Sequence, residues 1–507
     1  MRIYGYAVHG FDGTLVSIEV DLRRGIPGID LVGLPDNAVK ESRERVRAAL
    51  RNSGFELPKS RMLINLSPAG LKKQGAGFDL PIAAAILAAT GQIEFSGNIE
   101  KLMLIGELQL SGEICPSRGI LSAVACAERS GISHIAVPKQ NLEEARSIKL
   151  EGITGLSRLE MLLDDGVFKK NYQSQQFPVN ANCYYTYEDF ADMKGQERVK
   201  RALEVAAAGG HHVLLFGPPG SGKTMAAQRF PSLLPKIAGD DAIAVTRLHS
   251  LAGLLTENDR LITTPPFRMP HHSSSREGII GGGKSVIPGE ASLAHKGVLF
   301  LDEAPEFKRG LLQSLREPVE NGHVTIVRAG QNYRFPAQFQ LILAANPCPC
   351  GNLGKDRGVC VCSPREIGAY WKRIGGPLLD RIDIRVPLDP IPAGQMISGE
   401  SESSAQISAR VAQAAEIQRH RYKRLSFSSN ARMHPGEVRN FCPLSEKAEL
   451  QFTKAVEKLG LSNRACHSII KVARTIADLE GHQNIQEDDL LEAVWHRRYG
   501  DSDFFWV

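Results

Sequence analysis

The sequence lacks long apolar runs, and this absence excludes several classes of protein. Nowhere do about eighteen apolar residues follow one another, so no membrane-spanning helix and no membrane partner are expected. The first residues, Met1–Gly5, do not begin the apolar core of a signal peptide, so we expect a cytoplasmic protein. The net charge of +5 permits a nucleic-acid partner without arguing for one.

Cysteine is scarce: the chain has nine in 507 residues, and this odd number does not indicate the disulfide framework of a secreted protein. Four of the nine form two C-x-C pairs with nine residues between them: Cys348, Cys350, Cys360 and Cys362. Four thiolates on two short loops suit a closed, structural Zn²⁺ site. The spacing within each pair is one residue tighter than in the commonest zinc knuckle, so four reduced thiols are the alternative.

The length predicts about three domains in an α/β multidomain chain, because a single hydrophobic core stops growing well below 507 residues. Residues 1–165 combine β-like runs (15–20, 62–66 and 134–137) with helices, including a buried one at 81–89. Residues 166–188 are polar and aperiodic, as in a linker. A second unit spans residues 189–395, and residues 396–507 are helix-rich, with helices predicted at 445–459 and 465–479.

The most specific pattern is G-x-x-x-x-G-K-[ST], which the chain matches with Gly217, Pro218, Pro219, Gly220, Ser221, Gly222, Lys223 and Thr224. An apolar run of strand length precedes it and good helix formers follow it, which is the context that a phosphate-binding loop needs. Backbone N–H groups of such a loop bind the phosphates of a nucleoside triphosphate. Lys223 is predicted to contact the β- and γ-phosphates, and Thr224 to bind Mg²⁺.

Two further apolar strands are followed by polar residues that suit hydrolysis of the nucleotide. After residues 298–301 come Asp302, predicted to hold the Mg²⁺ shell, and Glu303, predicted to orient the attacking water. After residues 340–345 comes Asn346, whose amide is predicted to contact the γ-phosphate or the water.

One segment lies before the first of these strands, and another lies between the two. Nearly seventy residues separate Gln228, in the loop helix, from residues 298–301, too many for a simple connection, and we interpret them as an insertion. It contains His271 and His272, whose side chains should point apart in extended structure, so packing or ligand contact is favoured over metal binding. Residues 323–335 alternate around a turn at 330–332 and predict a β-hairpin.

This order of elements resembles that of AAA+ ATPases, and in particular the magnesium-chelatase-like ATPases of the YifB/ComM family. The resemblance covers essentially the full length and rests on blocks at 208–212, 266–272, 297–303 and 346–351. It implies ATP as the nucleotide, a central AAA+ P-loop parallel sheet with helices on both faces, and a C-terminal helical lid.

The resemblance also implies roles for single residues. Asn346 resembles the sensor-1 residue, Arg464 the sensor-2 residue on the lid, and Arg381 the arginine finger that reaches a neighbouring subunit's γ-phosphate. For each arginine the alternative is a surface salt bridge. A finger supplied by a neighbour implies a homo-oligomeric ring, usually a hexamer in this class.

Residues 1–165 resemble the ChlI-type relative of the Lon protease domain, which has an S5-like α+β fold. In the matching stretch at 73–79 a glycine stands at the position of Lon's nucleophilic serine, and Leu121 falls near that of its catalytic lysine. Because acyl-enzyme chemistry needs a nucleophile and its base, we expect no protease activity. The domain is expected to serve ring assembly or DNA contact.

The family resemblance implies an ATP-hydrolysing ring motor on DNA, similar to a ComM-like helicase or branch-migration translocase in natural transformation or recombination. The alternative is a chelatase-like remodelling motor that does not act on DNA. The DNA hypothesis gains from Lys284 in a triple-glycine loop and from Arg328 and Arg334 beside the hairpin turn. Basic loops of this kind contact the phosphates of single-stranded or branched DNA.

Overall fold

A computed structural model of the protein describes residues 2–71, 73, 75–95, 101–150, 152–164, 168, 185–256, 261–355, 358–391, 401–497 and 499. Most of the predicted linker therefore lies outside the described residues. Within them, every helix is too short or too polar to cross a membrane. The domain boundaries given above stay predictions.

The N-terminal part is built on a mixed sheet. Its strands are β1 (Arg2–Ala7), β2 (Thr14–Arg23), β3 (Gly28–Val32), β4 (Arg61–Ser67), β5 (Lys101–Leu104), β6 (Glu107–Leu108), β7 (Ile114–Cys115), β8 (His134–Pro138) and β9 (Gly152–Leu156). Seven of them form one sheet in the order β3-β4-β2-β1-β5-β8-β9, while β6 pairs with β7. The three strands predicted here are confirmed as β2, β4 and β8.

Within the described residues, four helices accompany this sheet: α1 (Asn37–Asn52), α2 (Asp79–Ala89), α3 (Ile120–Arg129) and α4 (Leu142–Ala145). Helix α2 is buried from Asp79 to Leu87, which confirms the predicted core helix. A helix that is apolar on all sides is stable only when neighbouring elements surround it, and α2 packs against α1, β1 and β2.

The central part contains a parallel sheet. Its strands and those of two small hairpins are β10 (Val213–Phe216), β11 (Phe267–Arg268), β12 (Gly281–Gly282), β13 (Ile287–Pro288), β14 (Val298–Leu301), β15 (His323–Arg328), β16 (Gln331–Pro336), β17 (Gln340–Ala345) and β18 (Ile384–Pro387). The five-stranded sheet has the order β11-β14-β17-β10-β18 with every pair parallel. The predicted parallel sheet is thus confirmed, and the carboxyl ends of its strands meet at one edge.

Nine helices belong to this part of the described chain: α5 (Glu197–Gly209), α6 (Lys223–Arg229), α7 (Gly239–Ala252), α8 (Arg276–Ile280), α9 (Glu290–Leu293), α10 (Arg309–Ser314), α11 (Arg316–Asn321), α12 (Pro364–Trp371) and α13 (Gly376–Leu379). Two sequence interpretations need correction here. The segment interpreted wholly as an insertion contributes the edge strand β11, which is too short to show a period of its own. The hairpin turn lies at Ala329–Gly330, not at 330–332, because both residues have positive φ and Arg328 pairs with Gln331.

The C-terminal part is helical, with α14 (Ser404–Arg421), α15 (Val438–Phe441), α16 (Glu446–Leu459), α17 (Asn463–Leu479) and α18 (Glu487–Arg497). The two predicted helices are confirmed as α16 and α17, and the side chains of Ser445 and Ser462 accept backbone N–H bonds at their starts. One hydrophobic core runs from α5 and β10 into α14, α17 and α18, so the helical part packs directly on the sheet.

Candidate nucleotide-binding site

The loop between β10 and α6 has the backbone shape that phosphate binding requires. Gly220 and Gly222 have φ of +83° and +93°, a region that side-chain-bearing residues rarely adopt. A Cβ added to either would meet no described atom within 4 Å, so space next to the loop is open. The hydroxyl of Ser221 is buried and has no hydrogen-bond partner among the described residues. Backbone N–H groups, a free hydroxyl and open space form a donor set that fits phosphates.

Lys223 lies at the centre of this edge. Its ammonium donates to the carbonyls of Gly217 (2.7 Å) and Pro218 (3.0 Å). It also donates to the side-chain oxygen of Asn346 (3.2 Å), at the end of β17. Burial lowers the pKa of Lys223 to about 8, although the carboxylates of Asp302 and Glu303 act in the opposite direction. An anion at this point would stabilise the charged form.

The acidic residues after β14 reach the same edge. The Thr224 hydroxyl donates to a carboxylate oxygen of Asp302 (2.7 Å), so the two predicted Mg²⁺ ligands lie in contact. A hydroxyl beside a carboxylate is a hard oxygen pair that suits Mg²⁺ with its remaining waters. Glu303 is exposed and has a left-handed backbone (φ +50°), held by its N–H donating to the other Asp302 oxygen (2.9 Å).

The two predicted arginines share a partner, Glu320, and neither forms an ion pair with Asp302. Arg381 is 4% exposed and donates to a carboxylate oxygen of Glu320 and to the Pro377 carbonyl (2.5 Å). Arg464 lies 3.7 Å from the other oxygen of Glu320. The hydrogen bond from Arg381 lowers the pKa of Glu320, and burial followed by the charge of Arg381 lowers that of Arg464. Both guanidinium groups therefore converge on one acid of their own chain.

The four predicted zinc ligands converge after β17. The ligand atoms of Cys348, Cys350, Cys360 and Cys362 all lie within 4.8 Å of one another. The sulfur–sulfur distances are 3.4 Å between Cys348 and Cys350, 3.7 Å between Cys350 and Cys360, and 3.6 Å between Cys360 and Cys348. Zn–S bonds of about 2.3 Å in a tetrahedron place the sulfurs about 3.8 Å apart, so the cluster fits Zn²⁺.

This cysteine loop also touches the phosphate-binding loop. Gly351 has φ of +72°, and a Cβ added there would lie 2.8 Å from Cγ of Pro219. The indole N–H of Trp371 donates to the Pro347 carbonyl (3.2 Å) and anchors the start of the loop. A metal that holds the cysteine loop would therefore also support one wall of the nucleotide site.

The three predicted DNA contacts lie on two neighbouring hairpins. Lys284, Arg328 and Arg334 are all exposed. Their hairpins share a small core, in which Val286 and Phe335 pack with residues of α7. The N-terminal part touches the same place, since the N–H of Phe11 donates to the Arg334 carbonyl (3.3 Å).

The histidine prediction was wrong in its geometry. The rings of His271 and His272 do not point apart, because their centroids lie 4.1 Å from each other. His271 is turned toward Ser273, with Nδ1 2.7 Å from the hydroxyl, while Nδ1 of His272 lies 3.8 Å from the Glu303 carboxylate. Sequence reasoning missed this contact and that of Glu320. Neither contact has a local signal in the sequence, because the first depends on the pairing of β11 with β14 and the second joins residues far apart along the chain.

Known proteins resemble this chain along nearly its whole length. Residues 189–396 match the family described as magnesium chelatase, subunit ChlI, residues 18–141 match subunit ChlI of Mg-chelatase, and residues 401–497 match its C-terminal segment. An uncharacterized protein of Mycobacterium tuberculosis is 41% identical over 98% of this chain and 99% of its own length. The competence protein ComM of Haemophilus influenzae is 40% identical, covering 98% and 97%. The uncharacterized protein YifB of Escherichia coli is 39% identical, covering 98% and 96%.

Proposed function

The chain belongs to the magnesium-chelatase-like YifB/ComM family, and this membership supports an ATPase-type motor. We propose that this motor acts on DNA as a homo-oligomeric ring. Lys223, Thr224, Asp302 and Asn346 carry the ATPase part of the proposal. They come from three separate segments, yet hydrogen bonds of 2.7 to 3.2 Å join them in two pairs at one edge of the sheet.

In the proposed mechanism, ATP with Mg²⁺ supplies the reacting phosphoryl group. Lys223 would bind the β- and γ-phosphates, and Thr224 and Asp302 would hold the metal, whose charge would stabilise the phosphates during transfer. Glu303 is exposed beside them and is placed to orient a water for in-line attack. Asn346 contacts Lys223 and would contact the γ-phosphate. Arg381 would act on the neighbouring subunit's nucleotide. Arg464, which lies on the lid, would contact the nucleotide as the sensor-2 residue.

The exposed cations Lys284, Arg328 and Arg334 support DNA as the substrate. Exposed cations on adjacent hairpins suit a phosphate backbone, which needs charge and reach more than a specific shape. A relative 40% identical over almost the full length is named a competence protein, which supports a ComM-like role of this chain in DNA transfer or recombination.

Two structural parts of the proposal follow from the fold and the cysteine loop. We assign Zn²⁺ to the four-cysteine cluster as a structural metal on the evidence of its spacing. We also assign the N-terminal part to the S5-like fold, without protease activity. Its mixed sheet and helices are compatible with that fold, and Leu121, near the position of the catalytic lysine, is fully buried.

A chelatase-like motor that does not act on DNA is the second candidate. The observation that favours it is the family description itself, which names magnesium chelatase for all three matched segments. Both candidates share the nucleotide site, so only the substrate separates them.

The deciding experiment measures ATP hydrolysis with and without linear and branched DNA. We expect stimulation of the native chain, and loss of that stimulation in the triple variant Lys284→Ala, Arg328→Ala, Arg334→Ala with unchanged DNA-free hydrolysis. DNA affinity of the variant should also fall less steeply with salt, by nearly one unit of log–log slope for each lost phosphate contact.

A matched control removes three other cations, Lys447, Lys454 and Lys458, which are exposed on α16. This control should keep DNA stimulation, because those residues lie outside the two hairpins. Absence of DNA binding by the native chain at low salt would favour the chelatase-like candidate. Unchanged stimulation in the hairpin variant would place the DNA contact elsewhere on the chain.

A further inference from the structure

The hairpin of β15 and β16 has little support of its own. Among its strand residues only Val324 and Phe335 are buried, and the others are half-buried or exposed. A two-stranded hairpin is marginally stable alone and needs another element to pack against it. Two of its exposed residues are Arg328 and Arg334, which the proposed function assigns to DNA. The elements that pack on this hairpin therefore determine where these two cations lie.

The turn between β1 and β2 packs on the hairpin. The N–H of Phe11 donates to the Arg334 carbonyl (3.3 Å), and the ring centroids of His9 and Tyr333 lie 4.6 Å apart. Gly10 lies so close to the hairpin that an added Cβ would be 3.3 Å from the backbone nitrogen of Arg334. A segment of the N-terminal part thus lies directly against the backbone of β16.

Arg247, on helix α7, joins the same turn to the central part. Its guanidinium is buried and donates to the carbonyl of Phe11 (2.8 Å) and to a carboxylate oxygen of Asp12 (3.1 Å). The guanidinium carbon lies 3.8 Å from the centre of the Phe11 ring, which is a cation–π contact. Its Nε donates to the hydroxyl of Ser122 on α3 (3.3 Å). One arginine therefore contacts both the β1–β2 turn and α3 from the central part.

Two further contacts hold the N-terminal part on α7 and the hairpins. The hydroxyl of Ser250, on α7, donates to the buried carboxylate of Glu144 (2.5 Å). Phe11 packs against the small core to which Val286 and Phe335 contribute from the two hairpins. Both hairpins with predicted DNA contacts therefore rest on a surface that the N-terminal part helps to build.

We propose that the N-terminal part braces the two hairpins for DNA contact, and that Arg247 is the positioning residue that holds this brace in place. The inference rests on the DNA role given under the proposed function. Arg328 and Arg334 can hold a phosphate backbone against a load only when their hairpin does not yield, and side chains that bind need such a rigid support. Because Arg247 is buried, it acts through the turn and not through its own charge on the DNA.

The first experiment measures how accessible the hairpin is. Trypsin cleavage after Arg328 in the full chain, followed by mass spectrometry, should be about fivefold faster or more in Arg247→Ala, because cleavage follows the open population of the hairpin. The control is Arg129→Ala, which removes the other arginine paired with Asp12 (3.0 Å) but lies on α3, inside the N-terminal part. It should stay within about twofold of the native chain, as surface pairs contribute little. Unchanged cleavage within α16 excludes global unfolding.

The second experiment measures ATP hydrolysis against DNA concentration. Arg247→Ala should need about fivefold more DNA for half-maximal stimulation, with unchanged DNA-free hydrolysis, since a lost contact of this kind changes a local equilibrium by such a factor. Phe11→Ala should behave in the same way, because it removes the ring beneath the guanidinium. Arg247→Lys should fall between the two, since lysine keeps the charge toward Asp12 but lacks the planar group that stacks on Phe11.

The outcomes separate the brace from the proposed function. Native cleavage rates in both Arg247→Ala and Phe11→Ala, or equal effects of Arg247→Ala and Arg129→Ala, would overturn the brace. Faster cleavage with unchanged DNA stimulation would overturn its role in DNA contact. Absence of DNA stimulation in the native chain would overturn the proposed DNA function and with it the purpose of the brace, whatever the cleavage rates.

Discussion

The two sides of the candidate nucleotide site are built in different ways. On the loop side, Lys223, Thr224, Asp302 and Asn346 already contact one another through hydrogen bonds within one chain. On the arginine side, Arg381 and Arg464 contact a carboxylate of their own chain, Glu320. One side therefore stands ready for a nucleotide, while the other is occupied by an internal ion pair.

The difference follows from where each side obtains its residues. The loop side collects the carboxyl ends of adjacent parallel strands, which lie in register with one another. The arginine side collects residues from the segment before β18 and from the first turn of α17, which have no such register. We infer that a single chain suffices to bind ATP, whereas rapid hydrolysis requires the arginines to contact the nucleotide of a neighbouring chain.

The largest expected effect tests whether the arginine side acts between subunits. Arg381→Ala should reduce ATP turnover by about a thousandfold, which is the lower range for loss of an arginine finger. Mixing Arg381→Ala chains with Lys223→Ala chains should restore part of the activity, because some interfaces then pair an intact loop with an intact arginine. Steady-state ATPase assays of the mixtures measure this.

A mixture of Lys223→Ala with Asp302→Ala is the control. Both defects lie on the loop side, so every interface in that mixture has a defective loop side. Recovery in the first mixture and none in the control is the expected pattern. Equal failure of both mixtures would mean that Arg381 does not act on a neighbour.

The next largest effect concerns the loop side. Glu303→Gln should bind ATP normally but hydrolyse it about a hundredfold more slowly or worse, because the water loses the base that orients it. Lys223 and Asp302 remain to hold the nucleotide and Mg²⁺. Binding of a fluorescent nucleotide and single-turnover hydrolysis separate the two properties, and turnover near the native rate would contradict the assignment of Glu303.

The comparison also shows which parts of the site the sequence could reveal. Lys223 and Thr224 belong to a contiguous pattern, and Asp302 and Asn346 directly follow apolar runs, so local signals were enough to predict them. His272 was misjudged because β11 has only two residues and its pairing with β14 is a tertiary feature. Glu320 was missed because its partners lie far along the chain and nothing local distinguishes it from other exposed acids. The prediction of parallel strands succeeded for the same reason as that of the loop, since each strand is a continuous buried run.

A pH dependence tests the environment of the loop side. Burial lowers the pKa of Lys223 to about 8, so the free chain favours the neutral amine above that pH, while bound phosphates favour the ammonium. ATP affinity should therefore fall by up to about tenfold per pH unit above pH 8, because binding must take up a proton. Titrations between about pH 7 and pH 9.5 measure it. Lys223→Ala should bind more weakly without this slope, and a native affinity independent of pH would contradict the shifted pKa.

Loss of the metal tests the contact between the cysteine loop and the loop side. Purified protein should contain about one zinc per chain, bound by the four clustered cysteines. The variant Cys360→Ser, Cys362→Ser should lose the metal and weaken ATP binding severalfold, since Gly351 packs on Pro219 of the phosphate-binding loop. Cys442→Ser, a buried cysteine outside the cluster, is the control. Elemental analysis without zinc in protein prepared free of chelators would refute the metal assignment.

The smallest expected effect concerns the internal ion pair of the arginine side. Glu320→Gln keeps the shape of the side chain but removes the charge that holds Arg381 and Arg464. Because Glu320 is 47% exposed, solvent screens the ion pair. Its removal should therefore change the protein concentration for half-maximal ATPase activity only by about two- to fivefold. If the pair competes with a neighbour for the arginines, the variant should reach half-maximal specific ATPase activity at a lower protein concentration. Glu317→Gln, an exposed acid on the same helix α11, should not. A higher concentration requirement in Glu320→Gln would show instead that Glu320 aims the arginines at the neighbour, so that the internal contact would be part of the working geometry.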